Sequence, residues 1–173
     1  MYSKDSTNKE ITFSYPVDGI FDSASRVSAY NSKNIRDNQG NSLLAEYAVS
    51  DDERDVFEQG LHSILPEIYE KIIKITDRSD SDSFGIAKIG NEDCVVFKIK
   101  DNESYNNNVL ALVDASFLEC IIEGALKAWY KNCAQADLLG MYTKSFADNL
   151  EKLFNRMFQL KIKKTTNMLG SKS

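Results

Sequence analysis

A chain of 173 residues, 42% apolar and 27% charged, suits a single globular domain that buries a sizeable core without metals or disulfides. Its formal charge of −5 and pI near 5.0 argue against a nucleic-acid binder of the usual kind, which would need a basic face. Cys94, Cys120 and Cys133 are odd in number and lack CxxC pairing, which argues against a disulfide framework and predicts free thiols in a reducing compartment.

The first nine residues read as a loose polar tail without the apolar core of a signal peptide. No window reaches the roughly 18 uninterrupted apolar residues of a membrane span, so no membrane partner is expected. The chain is expected to be soluble and kept in the cytoplasm or in something assembled there. In "ITFSYPV", Ile11, Phe13, Tyr15 and Val17 alternate with polar residues, the period of a half-buried strand; Pro16 demotes it to an edge strand or marks the strand's end. "DGIFDSASRVSAY" places Ile20, Phe21, Ala24, Val27 and Ala29 near helical spacing behind Asp18, a candidate N-cap. "NSKNIRDNQGNS" is a polar loop rich in turn formers.

At residue 50 a stronger helix begins. Ser50 and Glu53 have capping-box spacing, and Asp51, Asp52 and Asp55 sit where the helix dipole favours negative charge. Phe57, Leu61, Ile64, Leu65, Ile68, Ile72 and Ile75 mark one face, and Pro66 predicts a kink or a break into two helices. After the loop "DRSDSDSFG", a β-hairpin is expected over 86–89 and 94–100 with a turn at 90–93. Beyond "DNESYNNN", a long helix over 109–131, capped by Asn107 or Asn108, carries Leu112, Ala115, Phe117, Leu118, Ile121, Ile122, Ala125, Leu126 and Trp129. "NCAQAD" turns the chain into a last helix over 136–160 with its seam through Leu139, Tyr142, Phe146, Leu150, Leu153, Met157 and Leu160. At 1.5 Å per residue each helix spans roughly 35 Å, and the short turn makes the pair antiparallel. The fold class is therefore mainly α, of the α+β kind: a helical bundle with a long antiparallel C-terminal helical hairpin and an inserted β-hairpin. One domain covers 1–160, and 161–173 form a basic, mobile tail.

Chemistry is sparse along the chain. His62, the single histidine, has no cysteine or acid at ligand spacing and reads as a surface histidine rather than a general base. Asp51, Asp52, Glu53, Asp55 and Glu58 lack calcium-loop spacing and read as a charged helix start. Glu119 and Glu123 share a helix face near Asp114 without the Glu-x-x-His of a di-iron bundle, so a solvated face or an intersubunit contact is expected there. The cysteines and His62 are too scattered for a zinc site, and no glycine-rich phosphate loop or nucleophile elbow is present. Trp129, Tyr130, Tyr142, Phe146, Phe154 and Phe158 at helical spacing read as core rather than a ligand box, and Lys161, Lys163, Lys164 and Lys172 as a solvated or partner-docking end. No catalytic, cofactor-binding or metal residue is assigned, and an enzyme is not expected. An enzyme assembled from scattered residues would draw on Asp114, Glu119 and Glu123.

The order of these parts carries a resemblance. "DGIFDSASRVSAY", the acidic helix start "SDDERDVFEQG", a β-hairpin between helices, and "LVDASFLECIIEGALKAWYKNCAQADLLGMYTKSFADNLEKLF" together resemble head–tail connector (adaptor or ring) proteins of tailed bacteriophages, crAss-like and related phages of gut Bacteroidetes among them. The similarity runs over about residues 10 to 160 and rests on order more than on any one motif. It departs at the end of the last helix, where only Arg156 and a lysine tail stand in place of an arginine-rich run, and at the long polar loop over 31–42. The resemblance implies a structural virion protein at the head–tail junction or tail, forming a dodecameric ring with itself below the portal. Its partners would be the portal and neighbouring ring or tail proteins, with genomic DNA passing without sequence-specific binding. A different class of reading is a cytoplasmic α-helical binding or regulatory module that takes a partner in the hairpin groove.

Overall fold

The structure is a computed structural model and describes residues 1–7, 9–76, 82–102 and 105–161. Its elements are β1 (Tyr2–Asp5), β2 (Glu10–Pro16), α1 (Val17–Ser32), the single turn α2 (Leu44–Tyr47), α3 (Arg54–Ile72), β3 (Ser83–Ile89), β4 (Glu92–Lys100), α4 (Leu110–Asn132) and α5 (Ala136–Lys161). The α+β class and the antiparallel C-terminal helical hairpin are as the sequence predicts. The tail beyond Lys161 lies outside the described residues.

The sheet is larger than an inserted hairpin. Its order is β1-β2-β4-β3, with every neighbouring pair antiparallel. Alternation explains how it is held. Ile11, Phe13 and Tyr15 of β2 stand opposite Ile99, Phe97 and Val95 of β4, and all six are buried on one face. Phe117 of α4 closes on that face, its ring centroid 4.7 Å from Phe13 and 5.0 Å from Phe97. The helices pack on this side, with α3 over β3, α4 over β1 and β2, and α1 against the ends of β2 and β4.

Residues 2–5 are a strand and not a loose tail. Tyr2 rests against Phe13 at 6.3 Å, and the Ser14 N–H donates to the Met1 carbonyl at 2.9 Å. A strand paired on one side and wetted on the other needs no apolar alternation, so its composition concealed it. β2 is consequently internal, and Pro16 falls on its last residue, where a missing N–H breaks no ladder bond beyond it. The β3–β4 turn narrows to Gly90 and Asn91, with Gly90 at φ 64°, a conformation that glycine adopts without steric penalty.

Three expected helix starts are corrected. Helix α1 begins behind Pro16 with no side-chain cap, and Asp18 pairs instead with Arg54 of α3. Ser50 makes no side-chain cap either; a 3-10 turn over Asp51–Glu53 leads into α3. At α4 neither Asn107 nor Asn108 caps the helix: both lie in a 3-10 turn over Asn107–Val109 that leads into it, and Asn106 caps that turn, its side chain accepting from the Asn108 N–H. Pro66 does not break α3, which is helical from Arg54 to Ile72. Pro66 is exposed, so water can solvate the His62 carbonyl that it leaves without a donor, while Leu65, Ile68 and Ile72 anchor the opposite face in the core.

The helices approach closely at two glycines. A Cβ on Gly124 of α4 would stand 2.8 Å from the Phe146 ring of α5 and 3.2 Å from Ile64 of α3, and one on Gly60 of α3 would stand 3.0 Å from Ala128 of α4. Two polar clamps fix the hairpin further along. Arg156 donates to the Leu112 carbonyl at 2.8 Å and to Ser116 Oγ, and Lys152 pairs with Glu119.

Candidate functional site

The residues singled out by type do not converge. Asp114 turns toward the sheet, where its Oδ1 accepts the Tyr15 hydroxyl at 2.9 Å and faces the N-terminal ammonium at 3.2 Å. Burial, with Asp114 beside it, pushes the Tyr15 pKa well up and keeps the phenol protonated. Glu119 turns toward α5 and Lys152. Glu123 is half-buried, and its Oε2 has no hydrogen-bond partner. Desolvation raises its pKa; the Ser145 hydroxyl works against that rise and Glu119 adds to it. The three carboxylates thus serve three separate local arrangements.

His62 lies in a setting that its own neighbourhood in sequence did not reveal. It is exposed on α3 and lines a polar cleft of about 200 Å³ with Arg54 and Glu58 of the same helix, Asp18 of α1, Asn91 of the β3–β4 turn, and Glu92 and Asp93 at the start of β4. Arg54 is the organiser of this cleft: it pairs with Asp18, reaches Glu58 at 2.9 Å, and stacks its guanidinium 4.9 Å from the Phe21 ring. Arg54, Glu58 and His62 follow one another at steps of four on α3, a local spacing that the sequence reading of His62 passed over; the acids from α1 and β4 arrive through tertiary folding. Asp51, Asp52, Glu53 and Asp55 sit on the 3-10 turn and the first turn of α3. Among the described residues no group of three or more His, Cys, Asp and Glu is placed to hold a metal ion.

The three cysteines are separate free thiols. Cys120 is fully buried on α4, and desolvation pushes its pKa up to about 12; at the end of α4, partial burial lifts Cys133 to about 11. Trp129, Tyr130, Tyr142 and Phe146 are core. Trp129 Nε1 donates to the Tyr47 carbonyl at 2.9 Å, and the Tyr130 and Tyr142 rings stack at 5.2 Å. Phe154 is partly buried, and Phe158 stays exposed. Lys161 donates to the Ile75 carbonyl at 2.9 Å, whereas Lys163, Lys164 and Lys172 lie outside the described residues.

What the fold does assemble is a surface. Strands β1 and β3 each pair on one side, leaving two open edges at opposite ends of the sheet. Phe84 and Ile89 of β3 are exposed, and Phe84 stacks on Tyr69 of α3 at 4.5 Å. On α4, Ala111, Leu112, Ala115 and Leu118 are exposed, whereas Ile122, one turn further on, is partly buried and packs against the core. The sequence reading assigned Leu112, Ala115, Leu118 and Ile122 to the apolar face of this helix without separating them from its core positions. No family model matches this chain, and no curated protein or solved structure matches it. None of the described helices is long and apolar enough to cross a membrane.

Proposed function

We propose that this protein is a structural ring subunit of the head–tail connector of a tailed bacteriophage, seated below the portal and extending the DNA channel toward the tail. The observation that carries this reading is the α4–α5 hairpin: two antiparallel helices of 23 and 26 residues, locked by close packing at Gly124 and by the Arg156 and Lys152 clamps. Such a hairpin is a rigid strut that can stand beside copies of itself. The resemblance in element order supports the same reading. A net charge of −5 also suits a channel component, because a wall that attracted phosphates would hold the genome as it passed.

Quantitative mass spectrometry of density-purified particles, from a culture producing the protein, tests the proposal. The expected result is a copy number equal to that of the portal subunit. Protein abundant in infected cells but absent from particles would overturn it and send the search to a cytoplasmic partner of the hairpin groove.

A further inference from the structure

We draw no further inference here: the strongest candidate, the acidic cleft around His62 between α1, α3 and the start of β4, carries none because, among the described residues, no buried side chain without a partner lines it and nothing else there points to a ligand.

Discussion

Glu123 shows what a single side chain contributes when it is half-buried with one oxygen unpartnered. Its pKa is raised, so the folded chain holds this proton to higher pH than the unfolded chain does. Stability therefore falls as pH rises from the unfolded carboxyl value through the folded one, and is flat above it. Glu123→Gln should raise the melting temperature at pH 7, and the gain should vanish below the ordinary glutamate range; thermal melts across pH read both. A gain of equal size at every pH would assign the effect to packing. Two glycines make an opposite pair. Gly124→Ala drives a methyl into the Phe146 ring and should destabilise by about 1–3 kcal/mol. A Cβ on Gly140 of α5 meets nothing within 4 Å, so Gly140→Ala should stabilise by about 0.5–1 kcal/mol through backbone entropy alone. Chemical denaturation of both variants checks the contrast. In the sequence the two glycines look alike, each inside an apolar helical run.

Among the elements, α3 is the clearest case of packing overriding propensity. Pro66 removes one i→i−4 bond, yet Leu61, Ile64, Leu65, Ile68 and Ile72 are buried on both sides of it and hold the helix in one piece. Restoring the bond with Pro66→Ala should stabilise by about 2 kcal/mol after the loss of proline's constraint on the unfolded chain, measurable by urea titration with an unchanged m-value. The remaining long elements were legible because their periods are strong. The seam through Tyr142, Phe146, Leu153, Met157 and Leu160 is buried as its spacing predicts. β1 was not legible, because a strand with three exposed residues in four carries no period. The capping positions were misplaced for a related reason: Ser50 and Asp18 are chemically able to cap, but the backbone enters each helix by another route.

Taken as a whole, the molecule is a sheet with helices on one face and two open edges. The His62 cleft belongs to this scale too. Its residues come from α1, α3, the β3–β4 turn and the start of β4, and Arg54 ties the first two together through Asp18.

Local periodicity was enough to determine the long helices, the β3–β4 hairpin, the internal seam of the α4–α5 pair and the absence of a membrane-spanning helix among the described residues, because burying one face of an element leaves its mark every two or every three to four residues. Three features were decided by tertiary structure alone: the pairing of β1 with β2, the meeting of Asp18, Arg54, Glu58 and His62 with Glu92 and Asp93 of β4, and the separation of Leu112 and Leu118 from the buried positions of the same helix. Each depends on which distant segment lies alongside, and spacing along the chain holds no record of a neighbour 36 or 97 residues away, as Arg54 is from Asp18 and Lys4 from Asp101.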